Sequence, residues 1–171
     1  MVIKAEQFRE IYDIFKKYKE IFPHIRQDYL KRMIAADNVI YKDGVVIIFQ
    51  KYKKATRLGD VTVKAGTYIL HQIVNANQGN GKTKAVWEEF LNKVVEDPDS
   101  QGIVLTVRSN NLRACKLYEN LGFNRAGNID WKSGEIKGSV YTLNIIHKIE
   151  VNSKARTLKA NMIETKQLIG R

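Results

Sequence analysis

The chain has 171 residues, 44% hydrophobic and 27% charged, a globular composition that excludes wholesale disorder. Its single cysteine, Cys115, excludes an internal disulfide framework and points to a reducing, cytoplasmic setting, and no apolar run is long enough to span a bilayer. A formal net charge of +11, from 29 Lys and Arg against 18 acids, points toward an acidic partner.

Phe8, Ile11, Tyr12 and Phe15 recur at helical spacing and predict an amphipathic helix over 5–21, interrupted by Pro23. The charged stretch 1–19 is unlike a secretory leader. Tyr29, Leu30, Met33 and Ile34 predict a second helix over 26–36. Two β-rich runs, 39–41 and 45–49, flank Asp43-Gly44, which is a strong hairpin signal. The second of these strands is expected to continue outward through 50–57. Strands over 67–75 and 102–107 bracket a long helix over 82–95. Leu112, Ala114, Cys115, Leu117, Tyr118 and Leu121 predict another helix, stopped by Gly122. A closing hairpin turns at 131–134 and ends in a strand over 139–146. This order describes an α/β domain over 1–146, a mixed sheet with helices packed on it. Residues 147–171 read as a basic tail, or as a short docked helix.

The strand over 67–75 runs directly into Ala76-Asn77-Gln78-Gly79-Asn80-Gly81-Lys82-Thr83 and then into a helix. Strand, glycine loop and helix build a phosphate cradle, because the first helical N–H groups lack intrahelical partners and favour an anion. The octet satisfies a relaxed nucleoside-triphosphatase loop, with Ala76 where a glycine usually stands. That chemistry also needs an acid for Mg²⁺ at a neighbouring strand end, and the strand over 102–107 ends in Arg108-Ser109-Asn110.

A second reading reaches further along the chain. Gln78-Gly79-Asn80-Gly81-Lys82-Thr83 resembles the pyrophosphate loop of the GNAT family of N-acetyltransferases, Arg/Gln-x-x-Gly-x-Gly/Ala. Val107-Arg108-Ser109-Asn110-Asn111 and the ending Leu117-Tyr118-Glu119-Asn120-Leu121-Gly122-Phe123 are similar to the family's strand, Asn and "LYE-x-x-GF" helix. The resemblance covers 67–123; Thr83 departs from the usual Gly or Ala, and 1–66 carries no family motif. It implies a GNAT-type mixed, mostly antiparallel central sheet flanked by helices. It also implies transfer of an acetyl or similar small acyl group from acetyl-CoA to a primary amine.

The resemblance assigns roles residue by residue. Backbone N–H groups of Gln78, Gly79, Asn80, Gly81, Lys82 and Thr83 would grip the pyrophosphate of coenzyme A, with Lys82 adding charge. Ile73 and Val74 would offer backbone to the pantetheine arm, and Asn111 would contact the same arm. Asn111, Ala114 and Tyr118 lie at i, i+3 and i+7 and share one helix face. Tyr118 would be the general acid for the departing thiolate; the plainer reading is a core aromatic. Leu117 and Leu121 are expected toward the core, with Arg113, Lys116 and Asn120 toward solvent.

His71 is the candidate base for the acceptor amine, set against a structural histidine sharing a side with Ile69 and Ile73. Asp60 and Asp130 are weaker candidates, and water-mediated deprotonation needs no residue. Cys115 reads as an inert thiol, and Trp131 as either an acceptor-mouth residue or an aromatic packed on the sheet. The three histidines stand at no ligand spacing, so no metal site is indicated. Five basic residues in 51–64 and six in 147–171 carry most of the excess charge. The Lys–Tyr interleaving at 51–57 and the tail suit nucleic acid, or else a solubilising edge. The alternative to an acetyltransferase is therefore a GNAT-shaped nucleic-acid-binding or DNA-modifying phage-type protein without conventional acetyl transfer.

Overall fold

The computed structural model describes residues 3–145 apart from Gln78 and Asn80. The predicted tail over 147–171 and those two loop positions lie outside the described residues. A six-stranded sheet in the order β1-β2-β5-β6-β8-β7 forms the centre. Its strands are β1 (Val39–Lys42), β2 (Val45–Lys51), β5 (Tyr68–Asn75), β6 (Ile103–Arg108), β7 (Asn124–Trp131) and β8 (Ile136–Leu143). All neighbouring pairs are antiparallel except β5 with β6, so this is the mixed, mostly antiparallel α/β sheet that was expected.

Both faces of the sheet are covered, which explains why β2 reads as a continuous apolar run rather than an alternation. Ile47 and Phe49 pack against Val86, Trp87, Phe90 and Val94 of α3 (Lys82–Glu96). Val46 and Ile48 face the other way, onto Ile11 and Phe15 of α1 (Ala5–Lys17) and Leu30 and Met33 of α2 (Gln27–Ala35). The helix α4 (Leu112–Asn120) lies on the α3 side, where Ala114, Cys115 and Tyr118 touch the core.

Four expectations are corrected. The strand β2 does not continue through 50–57; it stops at Lys51, and a separate hairpin of β3 (Thr56–Leu58) and β4 (Val61–Val63) follows. Val63 of that hairpin covers Ile69, Val104 and Val140, while the Asp60 carboxylate accepts hydrogen bonds from the Asn128 backbone and side-chain amides at 3.1 and 3.2 Å. A strand continuing β2 outward would leave those apolar residues uncovered. The helix α1 ends at Lys17 rather than 21, and the last strand begins at Ile136 rather than 139. Leu112, counted in the apolar stripe of its helix, is 74% exposed.

Candidate functional site

The site begins where two parallel strands part. Strands β5 and β6 pair only at Tyr68↔Ile103 and Ile69↔Val104, although β5 runs on to Asn75 and β6 to Arg108. Beyond Ile69 the edge of β5 that faces β6 therefore has no strand partner among the described residues. A cleft of about 360 Å³ occupies this opening. Ile73, Val74 and Asn75 form one wall, and Asn111, Ala114 and Leu117 form the other. Tyr18 and Phe22, from the connection between α1 and α2, close it from the opposite face of the sheet. The cleft is thus lined by residues from both faces of the sheet.

At its far end lies the glycine loop. Gly81 is the residue before α3 and holds φ 71° and ψ 0°, a left-handed conformation that Gly adopts without steric cost. Gly81 brings no capping side chain to α3, and the leading N–H groups of a helix favour an anion. One side chain fixes the loop. Asn75 Nδ2 donates to Thr83 Oγ1 at 2.9 Å, and Asn75 Oδ1 accepts the Asn77 N–H at 2.8 Å. The departure at Thr83 therefore has a structural reason, since Gly or Ala offers no hydroxyl to that amide. The β1–β2 turn buttresses the loop from outside: Ala76 N–H donates to the Gly44 carbonyl at 2.9 Å, and the Lys82 ammonium lies 3.7 Å from the Asp43 carboxylate.

The residues singled out from sequence separate in the fold. Ile73, Val74, Gly79, Thr83, Asn111 and Ala114 all line the cleft, joined by Leu117 and Arg113, which were expected at the core and in solvent. Asn111 caps α4, its side-chain oxygen accepting the Ala114 N–H at 3.2 Å. Tyr118 is outside the lining; its ring meets Phe123 edge-on at 5.8 Å. Burial pushes its hydroxyl up to about 12, with a smaller contribution from Cys115, so it stays protonated at neutral pH.

His71 does not share a side with both Ile69 and Ile73. The β2–β5 register jumps from Phe49↔Leu70 to Ile48↔Gln72, leaving His71 as an extra bulged residue. Ile69 consequently packs beneath β3–β4 while Ile73 packs toward α3. His71 Nε2 lies 2.9 Å from Gln50 Oε1, an acceptor, so Nε2 carries the proton and Nδ1 keeps a lone pair. Desolvation, and secondarily the charge of His24, hold its pKa below 6.5.

Other candidates fall away from the cleft. The Asp60 carboxylate is engaged by Asn128. Trp131 lies across Gly138, where a Cβ would stand 2.4 Å from the indole, so its ring packs on the sheet. Sequence reasoning missed Tyr18, Phe22 and Asn75; nothing in an apolar helix end or a strand-terminal Asn signals a site.

No protein-family model matches the chain, and no curated protein matches its sequence. Solved structures do. NAA60 of Arabidopsis thaliana, solved in complex with acetyl-CoA, superimposes with a TM-score of 0.62 at 14% identity, over 85% of this chain and 98% of that one. The chain has the GNAT fold. The loading GNATL domain of CurA from Lyngbya majuscula gives 0.65 at 11% identity, covering 84% and 96%. The ribosomal-protein-S18-alanine N-acetyltransferase of Escherichia coli gives 0.57 at 18%, covering 85% and 92%. Within the GNAT fold, the parted strands and the loop before α3 are the features that this chain's own geometry marks for binding.

Proposed function

We propose that the protein is an N-acetyltransferase that moves an acetyl or similar small acyl group from acetyl-CoA to a primary amine. The observation that carries this reading is the cleft between the parted strands, lined from both faces of the sheet and ending at the glycine loop that starts a helix. An elongated ligand with an anionic end and amide groups fits such a site: the N–H groups before α3 take the pyrophosphate, and the unpaired edge at Ile73 and Val74 takes amides. Acetyl-CoA supplies an activated acyl group on sulfur. NAA60 and Arabidopsis thaliana Naa50 are solved with acetyl-CoA and with a CoA-Ac-peptide bisubstrate analogue, which supports the same cofactor here.

Two groups of this chain then handle protons. His71 Nδ1 takes one from the attacking amine as the C–N bond forms. Tyr118, one helical turn beyond Ala114, gives its hydroxyl proton to the sulfur as the C–S bond breaks, and solvent returns the balance. A triphosphatase reading is disfavoured because β6 ends at Arg108 and the residues after it, 109–111, bring no carboxylate. The exposed Lys53, Lys54, Arg57 and Lys64 favour an acceptor carried by an acidic partner such as nucleic acid.

The test is calorimetric and kinetic. Coenzyme A is expected to bind and to raise the melting temperature, with ATP doing neither. Thiol release from acetyl-CoA in the presence of a primary amine is expected to slow about 10²–10⁴-fold in Tyr118→Phe, with CoA affinity nearly unchanged. Unaltered turnover removes Tyr118 from the mechanism, and ATP stabilisation without CoA stabilisation removes the whole reading.

A further inference from the structure

We infer that Gln72, held in place by His24, is the recognition element for the acceptor amine: its side-chain carbonyl accepts a hydrogen bond from the nitrogen to be acylated. This rests on the acetyl-transfer reading above. Gln72 is only 8% exposed, yet it is a polar residue in a core strand. Its Nε2 donates to His24 Nε2 at 3.1 Å. Its Oε1 is fully enclosed and has no hydrogen-bond partner. Buried amide oxygens are almost always paired, and leaving one unpaired costs stability. A carbonyl only accepts, so the partner that completes this site brings an N–H or an O–H.

The position decides what that partner is. Gln72 follows the bulge at His71, just past the last β5–β6 pair, and precedes Ile73 and Val74, which line the cleft. His24 stands two residues after Phe22, which lines the cleft from the α1–α2 side. A donor arriving from that side therefore meets the cleft beside Gln72, away from the face that carries α3 and its loop. His24 accepts the Gln72 amide proton through Nε2. The neighbouring His71 keeps an acceptor lone pair on Nδ1. A primary amine has two N–H groups to offer an acceptor. An alcohol has a single O–H.

The experiment uses the full chain saturated with CoA or acetyl-CoA, with butylamine and butan-1-ol as probes. Gln72→Met keeps length and volume but removes the acceptor, and Gln72→Glu keeps the acceptor. Gln72→Met is expected to raise the KM for butylamine about tenfold or more and to leave CoA affinity within about twofold, the β5 backbone being untouched. Gln72→Glu keeps an acceptor oxygen but loses the donor to His24 and buries a carboxylate, so it is expected to lower the melting temperature while raising the KM less than Gln72→Met does. In spectra of side-chain amides, the Gln72 signal is expected to shift with butylamine and not with butan-1-ol. An unchanged KM in Gln72→Met together with a raised melting temperature means an enclosed water or simple frustration, and overturns the inference. So does an equal rise in Gln72→Glu. Should the unaltered protein bind CoA but acylate no amine, the acetyl-transfer reading fails by itself, and the amide titration still decides Gln72: no shift refutes it.

Discussion

Burial acts in opposite directions on the two titratable groups nearest the proposed chemistry. It raises the Tyr118 phenol to about 12 and lowers the His71 imidazole below 6.5, so both are uncharged across the neutral range. An uncharged phenol can give a proton and an uncharged imidazole can take one, the division of labour that acyl transfer to an amine requires. The sign for pH follows: as pH falls through the His71 pKa, the lone pair on Nδ1 is lost. The acid limb of kcat/KM is expected below pH 6.5, and His71→Gln is expected to abolish it while lowering the plateau about 10²-fold or more. A pH profile that keeps its acid limb in His71→Gln would assign the base elsewhere. At this scale the sequence was legible in parts. Helical arithmetic placed Asn111, Ala114 and Tyr118 on one face; the first two line the cleft and Tyr118 does not. It could not show that Asn111 is also the cap of α4, nor that a bulge separates the sides of Ile69 and Ile73. A bulge is set by the partner strand, and no local pattern records it.

Between elements, the decisive coupling is the Asn75–Thr83 hydrogen bond, which ties the end of β5 to the first turn of α3 across the glycine loop. Both ends of the cleft thereby share one rigid connection, so loop and strand keep a fixed spacing for a long ligand. Thr83→Val keeps the shape and removes the hydroxyl. It is expected to weaken CoA binding about 3–10-fold, from one neutral hydrogen bond, with a melting temperature within about 2 °C; equal affinity by calorimetry would mean the loop holds itself. Elements with strong periodicity were readable: α2, α3 and the Asp43-Gly44 hairpin fall within one or two residues of expectation. The β3–β4 hairpin was not. Its strands are three residues each, too short to show alternation, and Lys51, Lys53 and Lys54 read as an exposed continuation of β2. What makes it a hairpin is tertiary, the need to cover Ile69, Val104 and Val140.

For the whole molecule, the excess of positive charge is only partly free to act. Lys51 is paired with Asp97 at 2.6 Å, and Asp97 also accepts the Tyr68 hydroxyl at 2.7 Å, binding the end of α3 to the sheet. The Lys51 hydrogen bond first, and the Tyr68 hydroxyl second, hold the Asp97 carboxyl below its ordinary 3.8. Stability from a depressed carboxylate is present above the unfolded pKa and is lost as pH falls through the folded one. Asp97→Asn is expected to lower the melting temperature at pH 7 by about 2–8 °C, with the difference from the unaltered protein shrinking below about pH 4. A difference that persists there would mean packing and not charge. The lysines beyond this pair are a separate matter. If Lys53 and Lys54 contact phosphates, replacing both by Gln is expected to reduce the salt slope of single-strand DNA binding by about 1–2; an identical slope excludes them.

The divergence of β5 from β6 has one more consequence. A sheet normally secures its middle by pairing strands along their length, and here half of a central strand relies on pairing along a single edge. An extended ligand that lends its amides to that edge acts as a surrogate strand, completing the fold while it is bound. Occupancy and local rigidity are then one equilibrium: the segment that recognises the ligand is also the one most quietened by its arrival.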